Sequence, residues 1–136
     1  MNKKEILEFM RANRDAHLAT IENGQPRVRA IGIYRMEEDG IIIQTFKSKD
    51  VGKQLMQNPN VEICFNNFED RIQVRVRGAV ELMEDDAAVE ECLKERPFLK
   101  QFVDKGEEIA LFCLKGGLAH VWTLEKNFAP KEFIKL

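Results

Sequence analysis

At 136 residues, 44% of them hydrophobic, the chain is long enough to bury one core and too short for two ordinary domains. Its 21 basic and 23 acidic side chains leave a net charge of −2, so no overall field favours nucleic acid and any charged site must be local. The N-terminus lacks the apolar run of a secretion signal, and no stretch reaches the roughly 18 apolar residues that span a bilayer, so a cytoplasmic protein without membrane contact is expected.

Ile6, Phe9 and Met10 recur at helical spacing and predict an amphipathic helix over residues 3 to 12, ending near Asn13. From His17 to Arg35 the pattern becomes that of two strands joined by a turn. Asn23-Gly24 tolerates positive φ there, and Pro26 opens the second strand with φ already set. The β-branched run at 40 to 46 follows Asp39-Gly40 and reads as a buried strand. Asp50 is placed to cap a helix over residues 51 to 58, with Val51 and Leu55 on its apolar edge and Asn58-Pro59 to stop it.

Residues 61 to 65 resume the sheet, and between 72 and 80 the alternation of Ile72, Val74 and Val76 with Gln73, Arg75 and Arg77 gives the clearest strand in the sequence. Asp85 or Asp86 caps a further helix with Ala88, Val89, Cys92 and Leu93 on one face. Pro97 divides it from a shorter helical piece carrying Phe98, Leu99 and Phe102. Two strands, at 109 to 114 and 118 to 124, hinge on Gly116-Gly117, and the tail is a loop with room for one last short strand.

Six or seven strands joined by short turns, with three short helices, predict a mostly β fold: a closed or half-closed antiparallel barrel of one domain over residues 1 to 136. Closure removes the exposed edges that so small a sheet would otherwise carry. A doubly wound α/β arrangement needs a helix after nearly every strand, and the hairpins at 23 to 24 and 116 to 117 leave no room for one.

Conventional catalytic sets are missing. His17 and His120 lie within apolar strands at no metal-binding spacing, and Ser48, the sole serine, has no nucleophile-elbow context. Cys64, Cys92 and Cys113 lack the close pairing of a zinc site or disulfide framework, and are read as reduced, mostly buried small hydrophobes, so no catalytic side chain and no metal is expected. There is neither a Walker A loop nor a G-x-G-x-x-G.

Two features carry chemistry instead. Thr45, Phe46, Lys47, Ser48, Lys49 and Lys53 gather hydroxyls, cations and free backbone N–H groups where a strand meets a helix start, a junction suited to a phosphate. Read blandly, the same segment is a solvated lysine-rich loop. Arg27, Arg29 and Arg35 on the Pro26 strand, with Arg75 and Arg77, form arginine rows that either coat a barrel with surface ion pairs or supply a donor to the edge of a bound ring.

Taken in order, Leu18-Ala19-Thr20, Gly24 through Arg29, Thr45 through Lys53, Gln54-Leu55 leading to Asn58-Pro59-Asn60-Val61, and Val76 through Val80 resemble the pyridoxamine 5'-phosphate oxidase-like family of FMN-binding split barrels. The resemblance covers roughly residues 1 to 125. It implies a homodimer with FMN at the subunit interface: Lys49 and Lys53 at the phosphate, Thr45, Phe46, Lys47 and Ser48 on the phosphate and ribityl side, and Arg29, Ala30 and Ile31 at the isoalloxazine edge. Trp122 falls where family members place partner-subunit residues near the flavin, with ordinary packing as its alternative. The full-length oxidases have an arginine-lysine step where this chain has Asp50-Val51. The activity implied is a flavin-dependent oxidoreduction of a small planar molecule; the alternative is a flavin or other small-ligand binding module without turnover.

Overall fold

A computed structural model describes every residue from Met1 to Leu136. The elements are α1 (Lys3–Ala12), β1 (Asp15–Glu22), β2 (Gln25–Gly32), β3 (Arg35–Glu37), β4 (Gly40–Phe46), α2 (Asp50–Gln57), β5 (Asn60–Asn67), β6 (Ile72–Leu82), α3 (Asp86–Glu95), a 3-10 turn (Pro97–Leu99), α4 (Lys100–Val103), β7 (Ile109–Leu114), β8 (Leu118–Thr123) and β9 (Ile134–Lys135). None of the helices is long and apolar enough to cross a membrane.

All strand pairings are antiparallel, and the sheet runs β2-β1-β5-β6-β7-β4-β3. The eleven-residue β6 changes partner along its length: Ile72 to Arg77 pair with β8, and Val80 to Leu82 pair with β7. A strand that serves two neighbours in succession curls the sheet, so the result is a half-barrel with β2 and β3 as its open margins. The count is nine strands, not six or seven, because β3 and β9 are pieces of three and two residues, too short for any alternation to register.

The inside of the curl holds the main core, built on Leu18, Ile63, Phe65, Val74, Val76 and Phe112 and closed at its ends by Ile6, Leu7 and Met10 of α1 and Val51 and Leu55 of α2. A smaller core lies outside β4 and β7, where Tyr34, Phe46, Cys92, Leu99, Ile109 and Leu111 meet beneath α3. β7 is thus covered on both faces, which is why all six of its residues are buried and why IALFCL shows no alternation.

Local signals in the sequence explain most boundaries. Asn23 and Gly24 take φ of 50° and 77°, the mirror-image turn that matches strand twist, and β1 and β2 pair without interruption from Glu22–Gln25 to Asp15–Gly32. The Asn2 side chain and Glu5 form a reciprocal capping box on α1, and Asp85 caps α3 by accepting the Ala88 N–H at 3.1 Å.

Two expectations change. Asp50 is the first residue of α2 rather than its cap; the extended residue before the helix is Lys49, and no side chain closes the helix start. Arg35 does not continue the Pro26 strand, because β2 ends at Gly32 and Ile33 and Tyr34 are drawn into the two cores as the chain crosses to β3. Arg35 pairs instead with Glu91 and Glu95 of α3, at 2.9 and 2.5 Å.

Candidate functional site

The open margin of the half-barrel forms a cleft of about 560 Å3 between β2 and β4, within the size range of cofactor sites. Arg29, Ala30 and Ile31 give one wall; Gln44, Thr45 and Phe46 give the opposite one. The start of α2 closes one end with Lys49 and Val51, and the segment after α3 closes the other with Arg96, Phe98 and Phe102. Three cations line this cleft and no carboxylate does, although the whole chain carries net negative charge. An anion is favoured there by the distribution of charge, not by its total.

The walls are fixed by backbone geometry. Ile33 donates its N–H to the Arg14 carbonyl at 3.3 Å, so residues 33 and 14 are a hydrogen-bonded pair of the β1–β2 ladder. By antiparallel alternation Ala30 and Gly32, at non-bonded positions opposite His17 and Asp15, turn their N–H and C=O groups away from β1 and toward the cleft. Pro26, opposite Ile21, falls in the same open phase, where a missing N–H costs no ladder bond.

α2 lies unusually close to the end of β4. A Cβ built on Gly52 would stand 2.3 Å from the Phe46 carbonyl oxygen and 3.3 Å from that of Lys47, so only glycine lets the first turn of the helix press against this wall. The start of α2 and the last residues of β4 therefore form one rigid corner of the cleft. In that corner Thr45 is 4% exposed, and its hydroxyl has no hydrogen-bond partner. Buried hydroxyls are normally satisfied, and one left unpaired costs about 1 to 3 kcal/mol, so Thr45 marks a place where a ligand oxygen fits.

Arg29 is oriented from below. Its guanidinium donates to the Leu18 carbonyl at 3.2 Å, the Thr20 hydroxyl at 2.7 Å and the Gln54 side-chain oxygen at 2.6 Å, while the Gln54 amide donates to Glu22 at 3.3 Å. Burial pulls the Arg29 pKa down from its ordinary value and nearby Asp50 raises it, which leaves a fixed cation at the cleft edge. At the far end Arg96 donates to the Gln44 side chain at 3.1 Å and stacks on the Tyr34 ring, 5.0 Å from its centroid. The Tyr34 hydroxyl donates to Glu95 at 2.5 Å; burial first, and then that carboxylate, push its pKa upward.

The residues expected at a site divide into two groups. Arg29, Ala30, Ile31, Thr45, Phe46 and Lys49 come together in the cleft. Lys47 and Ser48 turn the other way: Lys47 pairs with Glu108 at 2.9 Å, and Ser48 donates to Glu107. Both of those carboxylates belong to a separate, acidic hollow beneath α3. Lys53 stands exposed on α2 outside the cleft lining, and Trp122 lies on β8, its indole N–H held by Asn127 at 2.9 Å. In a single chain Trp122 does not reach the cleft lining.

Sequence reasoning missed Gln44, Arg96, Phe98 and Phe102. Phe98 and Phe102 were placed with Leu99 on a short helical piece and given no role; Leu99 alone is buried, while Phe98 is 60% and Phe102 40% exposed. Phe102 meets Phe46 edge-to-face at 5.6 Å and extends the apolar wall of the cleft.

A half-barrel of antiparallel strands with a cationic cleft at its open margin is a split barrel. A family model described as pyridoxamine 5'-phosphate oxidase matches residues 3–113, and the chain belongs to that family. Its relatives include a pyridoxine/pyridoxamine 5'-phosphate oxidase of Rhizobium meliloti, 32% identical over 81 residues, which are 59% of this chain and 39% of that protein. The chain thus spans well under half the length of that relative.

Among solved structures, a NimC/NimA family protein from Clostridium acetobutylicum is 30% identical with a TM-score of 0.77, covering 98% of this chain and 92% of the other. A pyridoxamine 5'-phosphate oxidase-related, FMN-binding protein from Nostoc punctiforme shares the fold, with a TM-score of 0.66 at 18% identity over 96% of this chain and 88% of that one.

Proposed function

We propose that the protein is an FMN-dependent oxidoreductase acting on a small planar molecule, with the flavin seated in the cleft between β2 and β4. The observation that carries this reading is the corner holding Thr45 and Lys49: a buried hydroxyl without a partner, beside the uncapped start of α2, in a cleft lined by three cations and no acid. The family model and the FMN-binding relative of the same fold support it.

In this reading Lys49, Thr45 and the N–H groups opening α2 hold the phosphate, while Lys53 adds charge from outside the cleft lining and Lys47 and Ser48, bonded to Glu108 and Glu107, take no part. The open backbone groups of Ala30 and the neighbouring Ile31 meet the ring edge. Arg29 lies beside the pyrimidine side, where a fixed cation favours a reduced, anionic ring. Phe46, Phe98 and Phe102 shield the ring from water, and Arg96 offers a guanidinium to an acidic substituent of the substrate. When bound, FMN supplies the redox chemistry by taking two electrons from a donor and passing them to an acceptor. No side-chain acid or base is then required of the protein. The protein is read as a homodimer in which Trp122 approaches the flavin of the other subunit.

Purified protein is expected to be yellow, or to take up added FMN with one site per chain. Turnover of NADH or NADPH with a quinone or nitroaromatic acceptor would mark an enzyme; tight binding without turnover would mark a flavin carrier. Colourless protein that ignores added FMN across a wide titration would sink both. A sharper check is Thr45→Val, which keeps the shape and removes the hydroxyl. It should stabilise the flavin-free protein by about 1 kcal/mol, since an unsatisfied group is deleted, and weaken FMN binding by a similar amount. Equal FMN affinity in the two proteins would exclude Thr45 from the site.

A further inference from the structure

On β6, Arg75 and Arg77 alternate with the fully buried Val74 and Val76 and therefore face away from the core. Their cross-strand neighbours on that outer face are Cys64 and Glu62 of β5 and His120 and Leu118 of β8. The C-terminal segment returns over this face and adds Lys131 and Phe133, enclosing a hollow of about 150 Å3. None of the residues of the β2–β4 cleft lines it.

Three permanent cations and an imidazole face this hollow against one carboxylate, Glu62. The Arg77 guanidinium sits on the face of the Phe133 ring, 4.3 Å from its centroid, and the same ring lies 5.7 Å from that of His120. His120 is held in turn through Nδ1, 3.2 Å from the Glu132 carbonyl oxygen. The Phe133 ring thus bridges Arg77 and His120, while Arg77 and Lys131 stay open to solvent. Glu62 satisfies the cations only in part: its oxygen forms an ion pair with Arg75 at 3.7 Å from Nε, beyond hydrogen-bond length, and that Nε is buried with no hydrogen-bond partner. A buried guanidinium N–H without a hydrogen-bond partner, beside an excess of positive charge, is the kind of donor an oxyanion satisfies.

We propose that this hollow is a second, anion-binding site that takes the phosphoryl group of a small phosphorylated molecule or of free phosphate. Donors converge on it from two strands and the C-terminal segment, an arrangement suited to a tetrahedral oxyanion with several lone pairs. A planar carboxylate would engage fewer of them. The hollow is too small for a nucleotide cofactor. The site goes beyond the flavin reading and does not depend on it.

The test is a 1H–15N NMR titration of the full chain at constant ionic strength with inorganic phosphate, phenyl phosphate and benzoate. Saturable shifts of the Arg75 side-chain N–H and of the His120 and Phe133 amides are expected with both phosphates. Tighter binding of phenyl phosphate would identify a phosphate ester as the natural form, and tighter inorganic phosphate the free ion. Arg75→Gln and Lys131→Gln should each weaken this binding about tenfold. Lys49→Ala should leave it unchanged, which separates it from any phosphate bound at α2. Lys131 lies on the tail outside the core, so its variant remains informative if Arg75→Gln fails to fold. Shifts that never saturate, benzoate binding as tightly as the phosphates, or unchanged affinity in Lys131→Gln would overturn the proposal.

Discussion

Gly52→Ala is expected to lower stability by about 2 to 3 kcal/mol, although alanine is worth about 1 kcal/mol more than glycine within an ordinary helix. The sign reverses because the added methyl would stand 2.3 Å from the Phe46 carbonyl oxygen and 3.2 Å from its carbon, and backbone atoms at a strand end cannot swing aside as a flexible side chain does. Relief requires α2 to move off β4, which opens the corner that holds Thr45 and Lys49. The loss should appear as a fall in thermal midpoint on the order of 10 °C. Flavin uptake should fall with it, even at temperatures where the variant is folded. A midpoint equal to or above that of the parent would show that α2 is not locked against the strand.

The second large effect concerns the two lysines of α2. Lys49→Ala should weaken FMN binding by about 1.5 to 3 kcal/mol, roughly ten- to a hundredfold, the range for a charge-assisted hydrogen bond to a phosphate. Lys53→Ala should cost much less, because Lys53 stands exposed outside the cleft lining, where water and salt screen its charge. The difference should shrink as ionic strength rises if Lys49 acts mainly as a charge. It should persist if Lys49 makes a direct, partly desolvated bond. Flavin-fluorescence quenching titrations of the two variants measure both quantities, and equal affinities for parent and Lys49→Ala would remove the phosphate from this corner.

Much of the architecture was legible before any coordinates. The Asn23-Gly24 turn, the alternation in β6 and the Asp85 cap are each written within a few residues, and local φ/ψ preference or side-chain periodicity is enough to read them. The segment from Thr45 to Lys53 announced a strand-to-helix junction rich in donors. What it did not announce was direction. Lys47 and Ser48 differ from Thr45 and Lys49 by only one or two positions, yet they bond to Glu108 and Glu107, which are some sixty residues away in the chain.

The same distinction explains the other departures. Arg35 leaves the arginine row because Ile33 and Tyr34 are worth more inside the cores than an unbroken strand would be, and Glu91 and Glu95 wait on α3 to receive it. Phe98 and Phe102 could not be assigned to the cleft from sequence, because hydrophobicity says what a side chain would bury, not whether the fold leaves anything to cover it.

By itself, then, the sequence determined the element types, the turns and the stock of donors from which a phosphate-binding corner could be made, since those follow from interactions between near neighbours. The tertiary structure decided which donors converge. It set β2 opposite β4 across the open margin, brought Arg96 and two exposed phenylalanines to a cleft more than fifty residues from Thr45 along the chain, and sent Lys47 and Ser48 elsewhere. The reason is physical: a curled sheet closes its core by long-range strand pairing, and only that pairing settles which side chains are left facing the gap.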